Sequence, residues 1–498
     1  MPPTCRVSAT DRRAYLRSVL ITAVGALTLL GCTAPADPAP APNLVLVYVD
    51  DLGWRDLGIQ GSRYYRTPRI DRFASQGVRF THAYANAPNC APSRAALLSG
   101  TYGPRTGVYT VGSAARGRSA LRKLVPVPNR TALDTTVVTL AEALRAAGYA
   151  TGHVGKWHLG GPGHLPSDQG FDWSVAGDES GTPASYFYPY RNESRTIPGL
   201  EEGTSGEYLP DRLTDEAIRF LSENREGPFF LYLSHYSVHT PIHAKPELVS
   251  RYEGMAGSDG HDDPVYAAMI ESVDQGFGRL LDTLDTLGIA DHTVVVFYSD
   301  NGGFGPVTSM APLRGSKGML YEGGIREPLL VRWPGRAPAG GIVDTPVIGT
   351  DLYPTFLEMA GVERPTGVVL DGQSLVPLLE GDPAGLERLE ERPLFWHFPA
   401  YLERDASVPG PWRSTPVSAV RQGRHKLIHF FEDDRWELYD LLSDPGETLD
   451  LVASRPRIAA DLQATLEEWW AETEAFLPRT VNPEFDPAFR QAAESEGL

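Results

Sequence analysis

Residues 43–51, NLVLVYVDD, form a continuous apolar run that stops abruptly at two carboxylates. A run without polar alternation fits a strand buried on both faces, as in a parallel sheet covered by helices. Similar runs recur at Phe229–Ser234, Thr293–Ser299 and Pro328–Arg332. Helical patterns lie between them. The clearest, 264–287, places Tyr266, Met269, Ile270, Val273, Phe277, Leu280, Leu281 and Leu284 at helical spacing, and Asp211–Ser222 and Thr136–Ala147 are shorter examples. Strands alternating with helices predict an α/β fold built on a large, mostly parallel sheet sandwiched by helices. Ligands of such sheets bind beyond the carboxyl ends of the strands. The runs at 43–49 and 293–299 both end in carboxylates, so both can deliver acids to one rim.

With 498 residues and 42% apolar content, the chain has material for one large domain and a smaller one. Pro and Gly become dense from 361 to 385, after a helix expected over Thr350–Ala360. Short alternating segments follow, PLFWHF and SAVRQGRHKLIHFF, and then an amphipathic helix near Arg457–Phe476. They predict a small antiparallel sheet with one covering helix. The expected division is a catalytic domain at 43–380 and a C-terminal subdomain at 381–498. The net charge is −18, or −21 once residues 1–31, with four arginines and one aspartate, are removed. Such acidity argues against nucleic-acid binding and repels polyanions, so any anionic substrate needs a local basic pocket. Only Cys5, Cys32 and Cys90 occur, too few for a disulfide scaffold.

The first 31 residues read as a signal peptide. Asp11-Arg12-Arg13-Ala14-Tyr15-Leu16-Arg17 looks like a twin-arginine export motif, and the apolar run Val19 to Leu30 is too short to span a bilayer permanently. Leu29-Leu30-Gly31-Cys32 resembles a lipobox, and a Pro/Ala-rich tether occupies 32–42. The expectation is an exported bacterial lipoprotein, periplasmic or on the cell surface, held to the membrane only by lipid on Cys32. An ordinary cleaved signal with a chance cysteine is the plainer alternative.

The stretch CAPSRAALLSG, residues 90–100, puts Pro92, Ser93 and Arg94 at fixed offsets from Cys90, with a helix expected to follow. It resembles the modification site of the type I sulfatases, members of the alkaline-phosphatase-like superfamily. The resemblance implies that Cys90 is converted to Cα-formylglycine by a formylglycine-generating or anaerobic sulfatase-maturating enzyme. Further segments match the same family in order over nearly the whole mature chain. Asp50-Asp51 and Asp300-Asn301, each after an apolar run, are hard oxygen donors suited to a divalent cation. The family places calcium there, beside residue 90; magnesium is the lesser alternative because it demands a stricter octahedron. In Gly155-Lys156-Trp157-His158-Leu159-Gly160, Lys156 resembles the sulfate-contacting lysine and His158 the histidine that manages the formylglycine hydroxyl. His239 in SVHTP resembles the histidine near the leaving-group oxygen; His235 and His243 rank lower because the family pattern has Pro two residues after His. Lys317 in PLRGSKGMLYEGGIREP matches a second sulfate-contacting lysine, and Arg94 is a cation beside the nucleophile.

The resemblance implies a sulfuric ester hydrolase. One hydroxyl of the formylglycine hydrate attacks sulfur, and the alcohol leaves with a proton from His239 or Lys317. His158 then takes the proton of the second hydroxyl as sulfate is expelled. A phosphatase or phosphonate monoester hydrolase of the same superfamily is the nearest rival. A lipoprotein that binds sulfated glycans without turnover is a rival of another class. FWHFPAYLERD and PWRSTPVSAVRQGRHKLI resemble segments of bacterial carbohydrate sulfatases, pointing to a sulfated carbohydrate substrate. There Trp396, His397, Trp412 and Arg413 could line a sugar subsite or simply pack the small domain. Some relatives carry a polar sulfate-contacting residue after the segment matching Gly170-Phe171-Asp172; candidates here extend to about Gly181 without a clear choice.

Overall fold

The computed structural model describes residues 41–496, so the export segment, Cys32 and most of the tether lie outside the described residues. The large sheet has nine strands: β1 Asn43–Val49, β2 Val78–Tyr84, β3 Ala150–Gly155, β4 Trp173–Val175, β5 Phe229–Ser234, β6 Thr293–Ser299, β7 Arg326–Arg332, β8 Gly341–Val343 and β9 Val347–Ile348. Their order is β4-β3-β5-β1-β6-β7-β2-β8, with β9 also on β2. Strands β4 to β6 along this order are mutually parallel, while β7 runs antiparallel to both β6 and β2. The sheet is therefore mixed but mostly parallel.

Burial on both faces explains the unbroken apolar runs. Along β1, Val45, Val47 and Val49 face a core shared with the helices Leu209–Asn224 and Pro264–Thr286. Leu44, Leu46 and Tyr48 face the opposite core, with Ala91, Ala95 and Leu97 of the helix Cys90–Ser99 and Phe356 of the helix Leu352–Ala360. The helix expected over Thr136–Ala147 begins later, at Leu140. Thr139 fixes that start by a reciprocal cap: its hydroxyl accepts from Glu142 N at 3.1 Å, and its own amide donates to Glu142 Oε2 at 2.8 Å.

A smaller antiparallel sheet follows, of β10 Leu394–Phe398, β13 Val417–Gln422, β14 His425–Phe430 and β15 Arg435–Asp440, in that order. The helix Pro456–Glu472 packs on it through Leu462, Leu466, Trp469 and Trp470. A two-stranded ribbon, β11 Leu402–Glu403 with β12 Trp412–Ser414, projects between β10 and β13. No helix among the described residues is long and apolar enough to cross a membrane.

Candidate active site

Strand register determines which side chains meet. β1 and β6 run in step, with Val49 opposite Ser299, so Asp50 and Asp300 leave the sheet side by side. The Asp51 amide donates to Asp300 Oδ1 at 3.1 Å. β3 ends with Gly155 opposite Ser234 of β5, which delivers Lys156 and, further on, His239 to the same rim. Cys90 is itself the first residue of its helix, rather than preceding it, and Arg94 follows one turn later on the same face. The Cys90 Sγ lies 3.4 Å from Asp50 Oδ1 and 4.0 Å from Asp51 Oδ1.

Each carboxylate has a cation. Arg94 reaches Asp300 Oδ2 at 2.8 Å, Lys156 Nζ reaches Asp50 Oδ2 at 2.6 Å, and Lys317 Nζ reaches Asp51 Oδ1 at 2.6 Å. Burial raises the pKa of Asp51, but Lys317, with His239 and Lys156, outweighs it and holds the carboxyl well below its ordinary range. In Asp50 burial and the neighbouring Asp300 prevail and push it up, against Lys156. His158 and His239 are both pushed down, first by burial and then by nearby lysines, so both rings are neutral near pH 7. Asp51 and His158 each sit at φ +62°, a left-handed backbone that L residues adopt at a cost and that concentrates at working sites.

The donor set fits a hard cation. Ligand atoms of Asp50, Asp51, Cys90 and Asp300 all lie within 4.8 Å of one another. Beside them Asn301 donates to Asp51 Oδ1 at 2.8 Å, while its own Oδ1 is buried without a partner. An orphaned carbonyl oxygen among carboxylates is an acceptor waiting for a metal of the calcium or magnesium type.

A cavity of about 340 Å³ opens above Cys90. Of the catalytic and metal residues named from sequence, Asp51, Cys90, His158, His239 and Lys317 line it. Asp50, Arg94, Lys156, Asp300 and Asn301 lie beneath, each at 0% exposure. Lys156 thus faces Asp50 rather than the open cavity. His235 is buried with neither ring nitrogen bonded, and His243 is exposed; neither lines the cavity. Of the four residues considered for a sugar subsite, Arg413 alone reaches it. Trp396 donates to Ala85 O at 2.8 Å, just past β2 of the large sheet, and His397 bridges Ser418 and Phe476 O within the small domain. Trp412 packs on Tyr401.

Sequence reasoning missed Asn89, Arg116, Thr182 and Phe304, which also line the cavity. Thr182 lies just beyond the segment, Gly170 to about Gly181, that offered too many polar candidates. The neighbouring Gly181 carried the signal: a Cβ there would meet His158 Cε1 at 2.3 Å, so the segment must lie directly on that ring.

Comparison with known proteins agrees with this geometry. The sulfatase family model matches residues 42–362, and a model of the N-sulphoglucosamine sulphohydrolase C-terminal region matches residues 316–474. A sulfatase of Formosa agariphila is 33% identical, covering 88% of this chain and 90% of its own. Human N-acetylgalactosamine-6-sulfatase is 34% identical, covering 85% and 78% respectively. Among solved structures, Ps i-CgsB bound to k-i-k-neocarrahexaose superposes with a TM-score of 0.71 at 30% identity, over 89% of this chain and 95% of that one. The phosphonate monoester hydrolase of Agrobacterium radiobacter, at 22% identity and a TM-score of 0.61, shares the fold alone. Because the matched region runs through every strand end that feeds the site, and relatives align over most of their length, the chain belongs to the sulfatase family and is an enzyme that hydrolyses sulfate monoesters.

Proposed function

We propose that the chain removes sulfate from a sulfated carbohydrate, using Cα-formylglycine made from Cys90 and calcium held by Asp50, Asp51, Asp300, Asn301 and residue 90. The observation that carries this reading is the convergence of Cys90, three carboxylates and three cations beneath one cavity. The carbohydrate is favoured by the solved relative that holds a neocarrahexaose. When present, calcium draws charge from the sulfate oxygens and the aldehyde hydrate provides the attacking hydroxyl.

The chain's own groups do the rest. Lys317, on the cavity wall, neutralises sulfate from above, and Lys156 does so from behind Asp50. Arg94 stays on Asp300 and holds the metal loop in charge balance. His239 Nδ1 lies 2.8 Å from Thr240 O. A carbonyl only accepts, so Nδ1 carries the neutral ring's one proton and Nε2 is an acceptor, while Lys317, which burial disfavours as a cation but Asp51 holds protonated, supplies the proton to the leaving oxygen. His158 is kept neutral by burial, and its Nδ1 has no protein partner, which suits a proton acceptor. Cys90 is only 2% exposed, so the maturating enzyme must act before the fold closes. We assign catalysis to 43–380 and the supporting subdomain to 381–498, and take the protein to be exported and anchored through Cys32.

Rates on 4-nitrophenyl sulfate and 4-nitrophenyl phosphate, for wild type and Cys90→Ala, test the reading. Sulfate should be the faster substrate, and Cys90→Ala should lose about 10³-fold or more in kcat. Phosphate preference, or sulfate release that survives in Cys90→Ala, would refute it.

A further inference from the structure

Two arginines on the cavity wall have no part in the charge cluster beneath it. Arg413 stands on β12, and its Nη1 donates to Asp405 Oδ2 at 2.8 Å. Its Nε is buried without a partner although the side chain is 14% exposed. The Lys317 loop presses on this guanidinium: a Cβ at Gly318, where φ is +94°, would come within 3.0 Å of Nε. Arg413 is thereby fixed next to a sulfate-facing lysine. Arg116 lines the cavity from another loop. Its Nη2 donates to Val111 O at 2.7 Å, and its Nη1 lies 3.8 Å from Glu403 Oε2. Arg122 braces that loop by donating to the carbonyls of Ala115, Arg116 and Gly117 at 3.2, 2.7 and 2.8 Å. Glu403 closes it by accepting from Gly117 N at 3.1 Å.

The guanidinium has five donors in a rigid fork that matches carboxylate and sulfate oxygens. Arg413 Nε is a buried donor without an acceptor, which is costly, while Arg116, 31% exposed, keeps donors open to solvent on the cavity wall. Both stand in a protein of net charge −18, where fixed positive charge over an anion site has to be built locally. We propose that Arg116 and Arg413 form a second anion subsite, so that the preferred substrate carries another anionic group, a sulfate or a carboxylate, close to the sulfate that is cleaved. The inference rests on the sulfatase reading and narrows its substrate class to multiply charged sugars.

Three matched disaccharides provide the test: one with a single sulfate on a neutral backbone, one with a second sulfate, and one with the same single sulfate beside a uronic acid. 4-Nitrophenyl sulfate serves as a probe without a sugar. Wild type should favour one of the doubly charged disaccharides over the neutral-backbone one by about tenfold or more in kcat/KM, mainly through KM, and the favoured one identifies the group read. Arg413→Gln and Arg116→Gln should each reduce that ratio several-fold, and Arg413→Lys should recover part of it. A wild-type ratio near one, or variants that depress all disaccharides by the same factor, would overturn the subsite while leaving the sulfatase reading intact. No sulfate release from any probe, 4-nitrophenyl sulfate included, would overturn both.

Discussion

Two buried charge clusters in this molecule are built from the same materials and differ in what they leave open. At the strand ends, Asp50, Asp51 and Asp300 meet Arg94, Lys156 and Lys317. At the junction between the two sheets, Lys426 of β14 lies 3.0 Å from Glu322 Oε1 and 2.9 Å from Glu447 Oε1. The second cluster is shut away from solvent: Tyr84 donates to Glu322 Oε2 at 2.6 Å and the Glu322 amide to Glu447 Oε2 at 2.7 Å, and Glu447 Oε1, though it has no aligned hydrogen bond, lies beside the Lys426 cation. None of its three charged residues lines the cavity over Cys90. The first cluster leaves Asn301 Oδ1 and His158 Nδ1 unmatched beneath that cavity. Buried charge by itself therefore marks structure as readily as function. An unfilled valence beside an accessible space is what separates the two.

Substitution can break or sharpen this contrast. Among substitutions of the charged residues in the two clusters, the largest effect on turnover is expected from Lys156→Met, which should lower kcat by about 10²-fold or more through loss of charge behind the sulfate. Lys426→Met should leave kcat of the folded fraction near wild type but cost about 3–5 kcal/mol of stability, because two buried carboxylates lose their cation. Thermal melts with and without calcium separate the clusters further. At a calcium concentration near 100 Kd, binding adds about 2.7 kcal/mol to any protein with the site intact. Lys156→Met, with one less competing cation, should gain at least as much as wild type, and Lys426→Met no more than wild type. A calcium response enhanced in Lys426→Met instead would put the metal in the wrong cluster.

A further effect, visible only on acidification, concerns a group in neither cluster. Burial lowers the pKa of His397 from 6.5 to about 4, so it stays neutral in the fold while the unfolded chain takes up a proton. Its contribution is fully present above pH 6.5 and falls by about 1.4 kcal/mol per pH unit down to about pH 4. His397→Asn should flatten that part of the stability profile, measured by urea unfolding between pH 7 and 4. An unchanged slope would contradict a neutral buried ring.

Much of the fold could be read from the chain because burial on both faces leaves a direct mark. The run NLVLVYV, β1, has no exposed face on which to alternate, and the same holds for β5 and β6. Local chemistry set other boundaries less visibly. The reciprocal bonds of Thr139 and Glu142 delayed a helix start that apolar spacing alone had put earlier. At the site, motif segments named residues that lie together in space, since most of the motifs follow a strand end or begin a helix, with Lys317 added from a loop. The wall above them was not legible in the same way. Arg116 sits in a loop, and Trp396 and His397, which looked equally fit for a sugar, turned inward, where Ala85 O of the large domain and Ser418 and Phe476 O of the small one satisfy their polar atoms.

By itself the sequence determined the buried strands β1, β5, β6 and β7, a helix in the segment after Cys90 and the acids that close β1 and β6, because burial, helix propensity and strand ends are local consequences of residue type. Only the tertiary structure decided that Lys156 would face Asp50 and that Arg413 would stand over the cavity opposite a loop some three hundred positions earlier. Those outcomes depend on register between strands and on the seating of one sheet against the other. Register between distant strands leaves no trace in the residues nearby.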